Sequence, residues 1–144
     1  MTPTPTIRRA LIAAGLALTS AMACAQPTDL GAATVRPAGY QPAKGDPAAG
    51  KVLFNDTKLS TNGMSCASCH AQHAAFSASF AKPYPHTVAM ARDQLGRKTV
   101  HLDEMVQACM VMPMAAKPLP WDSKALADLT AYLAALQKTF KPAR

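Results

Sequence analysis

The chain has little charge and few aromatic side chains, and both shortages exclude classes of function. Charged residues make up 16% of its 144 residues, and aromatic residues make up 6%. The formal net charge is +7, but no basic run is longer than the pairs Arg8-Arg9 and Arg97-Lys98. Nucleic-acid binding usually needs a dense basic surface or stacking aromatic side chains. No nucleic-acid partner is therefore expected.

A long membrane-spanning run is also missing, and the N-terminus instead has the pattern of an export signal. Arg8 and Arg9 precede residues 10–23, an apolar run too short to span a bilayer comfortably. Ala23-Cys24-Ala25 supplies small residues for a signal peptidase. We predict that residues 1–25 are a signal peptide and that the protein is periplasmic. Membrane association is expected only if the signal is retained as an anchor or Cys24 is lipidated.

Residues 26–45 are rich in proline, glycine, alanine and threonine, and they carry no periodic apolar pattern. This composition predicts a flexible leader ahead of a single domain, residues 46–144. Loss of residues 1–25 removes Arg8 and Arg9 and no acidic residue, so the formal charge falls from +7 to +5. The exported protein would remain basic.

Neither strand alternation nor an internal repeat occurs, whereas helix signals recur along the domain. Asp46-Pro47 has the pattern of an N-cap and first helical residue. Residues 100–110 place apolar side chains at three- and four-residue steps, and residues 86–96 suit a short helix. A leucine stripe follows Asp122 or Ser123 as cap and ends before Pro142. The sequence predicts an all-α fold of three to five helices.

The strongest chemical signal is Cys66-Ala67-Ser68-Cys69-His70, the Cys-x-x-Cys-His pattern of covalent haem attachment. Two thiols on one helical turn can add to two vinyl groups of the same haem, and the next histidine then binds the iron. We predict haem c, with Cys66 and Cys69 as attachment sites and His70 as iron ligand. A zinc site that includes Cys109, a redox-active thiol pair and a plain disulfide are the alternatives.

Around this motif, the chain resembles a class I c-type cytochrome with a single haem. The resemblance rests on a first helix with Gly50 and Phe54, a haem loop, and a last helix with Leu129, Tyr132 and Leu133. It implies a small fold wrapped around one covalent haem. It also implies that the first and last helices cross, with Gly50 as the small residue at the crossing and Tyr132 as its partner.

Two stretches resemble narrower families. Residues 53–76 are similar to the first haem segment of bacterial dihaem cytochrome c peroxidases. Residues 96–120 are similar to the distal-ligand segment of thiosulfate dehydrogenase-type dihaem cytochromes. Both families carry two haems, whereas this chain has one attachment motif. Met112-Pro113 and Ala115-Ala116 also replace residues usual around the second family's ligand, so catalytic activity does not follow from the resemblance.

Four methionines, Met105, Met110, Met112 and Met114, crowd the region where the resemblance implies a sixth iron ligand. Met114 matches the distal position by its distance from Cys109 and from the Lys-Pro-Leu-Pro segment at 117–120. We predict Met114 as that ligand. Met112, Met110, Cys109 or a histidine are the alternatives, and methionines more often fill cores. Three further side chains could contact the haem edge or a propionate: Tyr84, Arg97 and Trp121.

The predicted function is electron transfer through one His/Met-ligated haem, with an acidic redox protein as partner. No nucleophile–base pair or paired carboxylates are evident, so an enzyme is the less favoured interpretation. Two alternatives stay open. The chain could be the haem subunit of a thiosulfate-oxidising or peroxidatic complex, or a gas-binding haem protein with an open sixth position.

Overall fold

The computed structural model describes Met1 and residues 31–142, and it confirms the all-α prediction. Within those residues there is one isolated β-bridge, between His86 and Val100, and no strand. Short 3₁₀ turns at residues 57–59, 71–73 and 78–81 connect the longer elements. The α-helices are α1 (Pro47–Phe54), α2 (Cys66–His70), α3 (Ala89–Leu95), α4 (Leu102–Val111) and α5 (Lys124–Thr139).

Two predicted caps set the starts of the outer helices. The Asp46 side chain accepts a hydrogen bond from the Ala48 amide at 2.9 Å, and Pro47 occupies the first position of α1. At α5 the choice between Asp122 and Ser123 is settled, because Ser123 is the N-cap and its hydroxyl accepts from the Leu126 amide at 3.3 Å. Both helices therefore begin where their sequences predict.

Helices α1 and α5 cross in close contact, as the resemblance implied. A Cβ added at Gly50 would overlap the Asp128 carbonyl and approach Cβ of Tyr132 to 2.7 Å. One turn on, the rings of Phe54 and Tyr132 meet edge to face at 5.2 Å. Only glycine allows the two backbones to approach this closely. The crossing anchors one buried hydrophobic cluster: Phe54, Val106, Met110, Met114, Leu126, Leu129 and Leu133.

The residues before α1 require a correction. A flexible leader was expected over residues 26–45, but several residues between 34 and 45 contact the domain. Thr34 is fully buried, and Arg36 forms a forked ion pair with Asp103, with nitrogen–oxygen distances of 2.8 and 2.9 Å. The Tyr40 ring packs edge to face on Trp121. These partners lie far along the chain, so the local composition carried no sign of them.

Several predictions concern residues that the structure does not describe. The predicted signal peptide, including Cys24, lies outside the described residues apart from Met1, and so does the part of the leader before residue 31. Among the helices that are described, none combines the length and the apolar character needed to cross a membrane.

Candidate cofactor site

Helix α2 presents both motif cysteines from a single turn. Its start is fixed by Ser65, whose amide donates to the Ser68 hydroxyl at 2.9 Å. Cys66 is half-buried and Cys69 is exposed, and both are free thiols. Residues three positions apart share one helical face. The two thiols can therefore bond to one flat ligand lying against that face.

His70 ends α2 with one ring nitrogen engaged and the other available. Its Nδ1 lies 3.1 Å from the Ala74 carbonyl oxygen, which can only accept, so Nδ1 carries the proton and Nε2 keeps a lone pair. The ring stacks on Phe76 at 4.1 Å, and Phe76 stacks on Phe80 at 3.9 Å. Burial lowers the pKa of His70, against the opposing effect of the Ala74 hydrogen bond. The side chain is suited to bind a metal ion as a neutral imidazole.

The loop that supplies the Ala74 carbonyl has an unusual backbone. Gln72, His73 and Ala75 all have positive φ angles, between 53° and 66°, a region that residues other than glycine rarely adopt. Contacts with the end of α5 hold this loop. The His73 ring meets the Phe140 ring edge to face, and its Nε2 lies 3.4 Å from the Thr139 hydroxyl. Backbone strain of this kind concentrates at functional sites.

Next to α2 lies a largely apolar cavity of about 470 Å³, within the range of roughly 300–1,000 Å³ that is usual for small-molecule sites. It brings together the attachment residues and side chains from distant parts of the chain. Cys66, Cys69 and His70 stand on one side. The remaining wall includes Phe54, Met64, Phe76, Phe80, Tyr84, Met90, Leu102, Met105, Val106, Cys109, Met114 and Leu133.

The cavity separates the candidate distal ligands into two groups. Met114, Met105 and Cys109 are on its wall, whereas Met110 and Met112 are not among its lining residues. Met114 is only 3% exposed. It follows α4 in a turn where its amide donates to the Cys109 carbonyl at 3.2 Å. The structure thus brings Met114 to the same cavity as His70.

Cys109 also contributes to this wall. It lines the cavity together with Leu102 and Met105, so the three- and four-residue spacing in residues 100–110 places these side chains on one face of α4. Burial, followed by proximity to Cys66 and Cys69, raises the pKa of Cys109 to about 12. Cys109 therefore places a thiol on the cavity wall.

Of three residues considered for the cofactor edge, only Tyr84 lines the cavity. Arg97 instead donates to the Glu104 carboxylate and, at 3.0 Å, to the Thr34 carbonyl. Trp121 packs against Tyr40. The histidines other than His70 also lie off the wall: His73, His86 and His101.

One residue that supports the site gave no signal in the sequence. Gln107 is fully buried, and its amide group donates to the Leu119 carbonyl at 2.6 Å and accepts from the Leu119 amide at 2.8 Å. These two bonds hold the loop after Met114 against α4. A glutamine on a helix usually indicates a solvent-facing position, so only the fold reveals this function.

The alternative of a zinc site has no support in the described residues. Within residues 31–142, no three or more His, Cys, Asp or Glu side chains converge in a metal-binding group. The three cysteines of this part of the chain, Cys66, Cys69 and Cys109, are all free thiols, so the disulfide alternative is not seen either.

Comparison with known proteins agrees with the geometry. A family model described as the SoxA/TsdA cytochrome c domain matches residues 49–140. No curated protein and no solved structure gives a significant match. A cytochrome c domain carries covalently bound haem c with its iron. The site fits this group, because Cys66, Cys69 and the free Nε2 of His70 border a cavity with mostly apolar walls.

Proposed function

Since this chain belongs to the SoxA/TsdA cytochrome c domain family, we propose that it is a periplasmic electron carrier. One covalently attached haem c would be ligated by His70 and Met114. The observation that carries the proposal is that both motif cysteines, His70 and Met114 border the same largely apolar cavity. When bound, haem iron supplies a one-electron couple between ferric and ferrous states.

Attachment needs no oxidant. Each thiol would add across a vinyl double bond, with its sulfur bonded to the carbon next to the ring and its proton transferred to the outer carbon. Cys66 and Cys69 provide the two sulfurs, and the Ala74 carbonyl orients His70 through Nδ1. The side chains on the wall are otherwise suited to excluding water and holding the group in a fixed position.

The contacts around Met114 support its assignment as distal ligand. Two hydrogen bonds hold its loop from two sides. The Gln107 side chain donates to the Leu119 carbonyl, and the side-chain amide of Asn62 donates to the Pro113 carbonyl at 2.9 Å. A firmly held loop keeps the thioether in place while the iron changes oxidation state. Methionine opposite histidine also raises the reduction potential, which suits a carrier.

Mass spectrometry and optical spectra test the proposal. The intact mass should exceed that of the mature chain by one haem, and the ferric spectrum should show a methionine–iron charge-transfer band. Met114→Ala should remove this band, lower the potential and convert ferric iron toward high spin. Met112→Ala is the matched control, because Met112 does not line the cavity. An unchanged Met114→Ala spectrum, with low spin lost in Cys109→Ser instead, would refute the Met114 assignment.

A second candidate is a haem subunit of a thiosulfate-oxidising enzyme. Two observations favour it: the family match, and the thiol of Cys109 on the cavity wall. In this case the purified holoprotein, or its complex with a catalytic partner, should pass electrons from thiosulfate to an acceptor. Loss of that activity in Cys109→Ser, with the optical spectrum of the haem unchanged, would favour the enzyme over the simple carrier.

We propose an acidic redox protein as partner, because one end of the molecule is basic. The Gln137 side chain donates to the Lys82 carbonyl at 2.8 Å, which brings Lys82 to the end of α5. Lys138 lies in the last turn of this helix, and Lys141 follows it. All three lysines are exposed. Such charges mainly accelerate encounter, and salt screens them. An electron-transfer rate that does not change when all three become glutamate would exclude this docking site.

A further inference from the structure

Tyr84 is a polar side chain held rigidly at the cofactor cavity without a partner of its own. It lies between Pro83 and Pro85, which restrict the backbone on either side. Its ring packs on the His86 imidazole at 4.2 Å, and the two hydrogen bonds between His86 and Val100 fix that residue's backbone. The loop therefore presents the phenol ring to the cavity in one position.

The Tyr84 hydroxyl forms no hydrogen bond with another described residue. Burial and then the neighbouring Cys109 raise the pKa of Tyr84 to about 12, and no hydrogen bond contributes. The His86 imidazole, which packs on the Tyr84 ring, also has an unbonded polar atom: its Nε2 is buried and has no hydrogen-bond partner among residues 31–142. A buried polar group is rarely left without a partner, so the unpartnered His86 nitrogen beside the unbonded Tyr84 hydroxyl indicates that something else supplies a partner at this loop.

Other polar side chains on the wall are already engaged. The Ser65 and Ser68 hydroxyls lie 3.4 Å apart at the start of α2, and Ser77 is bonded to Ser79 at 2.7 Å. Cys66, Cys69 and His70 serve attachment and iron binding. The Tyr84 hydroxyl is therefore available to donate a hydrogen bond to the cofactor.

The chemistry of the cofactor limits what the Tyr84 hydroxyl can meet. The edge of haem c carries methyl groups, the two thioether bonds and two propionates. Of these groups, only the propionates are strong hydrogen-bond acceptors.

We propose that the Tyr84 hydroxyl donates a hydrogen bond to a haem propionate and so helps set the reduction potential. No arginine is among the lining residues, and Arg97 and Arg36 are already bound to Glu104 and Asp103. A phenol donor that stabilises an ionised carboxylate forms a strong, charge-assisted bond. The proposal rests on covalent haem attachment at Cys66 and Cys69. It does not depend on which side chain is the distal ligand.

The three tyrosines of the chain provide a matched experiment. Tyr84→Phe should shift the propionate bending band in the resonance Raman spectrum and lower the potential, because the propionate charge is then less compensated and favours ferric iron. Tyr40→Phe and Tyr132→Phe remove hydroxyls from side chains that are not among the cavity-lining residues. Both should leave the band and the potential unchanged.

Solvent exchange gives a second measurement that needs no variant. In the wild-type holoprotein the propionate band should move on transfer to deuterium oxide, and in Tyr84→Phe that shift should be smaller. A wild-type band insensitive to deuterium oxide would overturn the proposal, as would a Tyr84→Phe holoprotein with an unchanged band and potential. Loss of the methionine–iron band in any of these proteins bears on the Met114 assignment and leaves the propionate result intact.

Discussion

Two junctions hold the N-terminal part of the chain on the domain, and they use opposite chemistry. At the first, α1 crosses α5 through Gly50, in backbone-to-backbone contact that depends on shape. At the second, the segment of residues 34–40 meets the start of α4 through the Arg36–Asp103 ion pair and a hydrogen bond from the Arg36 backbone amide to Glu104. The two acidic residues are 1% and 4% exposed. The fit at Gly50 itself involves no charge, whereas the ionic junction depends on ionised carboxylates.

The two junctions also differ in what they position. The crossing closes the frame that supports Phe54 and Leu133 on the cavity wall. The ionic junction fixes the start of α4, the helix that carries Met105 and Cys109 to the same cavity. Damage to the crossing should therefore affect the whole domain, while damage to the ionic junction should first affect the N-terminal segment and α4.

The largest effect is expected from Gly50→Val. The new side chain would overlap the Asp128 carbonyl, a backbone atom that cannot move without separating the helices. We expect a loss of at least about 3 kcal/mol in the free energy of unfolding. Denaturant unfolding of the holoprotein measures it, at pH 7 and at pH 5, with the same loss at both. Gly31→Val is the control, because a Cβ at Gly31 meets nothing within 4 Å. Equal stability of the two variants would disprove the close crossing.

Arg36→Ala should have the next largest effect. It removes a forked ion pair and leaves the buried Asp103 carboxylate without that partner. Removing one member of a fully buried pair costs roughly 3–5 kcal/mol; Arg36 is partly exposed, so we expect about 2 kcal/mol. Hydrogen exchange should increase in residues 34–40 and at the start of α4, and not in α5. Arg36→Lys should rescue part of the loss, since it keeps the charge without the fork. Uniformly faster exchange would contradict a local function.

These predictions parallel what the sequence could and could not reveal. The crossing was predictable, because Gly50 and Tyr132 stand on helices with clear caps and apolar stripes. The attachment residues were equally clear, because Cys66, Cys69 and His70 form one continuous motif. The contacts of residues 34–40 were not predictable, because the partner of Arg36 is 67 positions away. A low-complexity composition therefore concealed a specific contact.

The cavity wall divides in the same way. Met114 and Cys109 could be proposed from their place in the chain, but separating Met114 from Met112 as a wall residue required the turn after α4. The function of Gln107 depends on its pairing with Leu119, 12 residues further along the chain. The position of Tyr84 depends on which loop faces the cavity. Local patterns gave the cofactor, and long-range packing determines its surroundings.

Acid should weaken the ionic junction through Glu104. Burial opposes its charge, but hydrogen bonds from the His101 and Arg36 amides and from Arg97 prevail, so the pKa of Glu104 is lowered in the folded state. Its contribution to stability is fully present above its unfolded pKa of about 4.3 and is lost as the pH falls through the lower folded value. The unfolding free energy of Glu104→Gln should consequently change less between pH 5 and pH 3 than that of the wild type. A parallel pair of pH curves would exclude this function of Glu104.

The smallest effect, and the sharpest test of why the ionic junction matters, is expected from Arg92→Gln. Arg92 and Asp93 form a second forked arginine–aspartate pair, with nitrogen–oxygen distances of 2.6 and 3.0 Å, but both side chains are 58% exposed. The hydrogen bond from Arg92 lowers the pKa of Asp93. Water solvates and screens exposed charges, and the pair joins neighbours in sequence, so it fastens no distant segment. Arg92→Gln should therefore leave the unfolding midpoint unchanged under conditions in which Arg36→Ala lowers it clearly. If both substitutions lowered the free energy of unfolding equally, arginine–aspartate pairing itself would explain the effect of Arg36. The burial of the Arg36–Asp103 pair and the separation of its members along the chain would then not explain it.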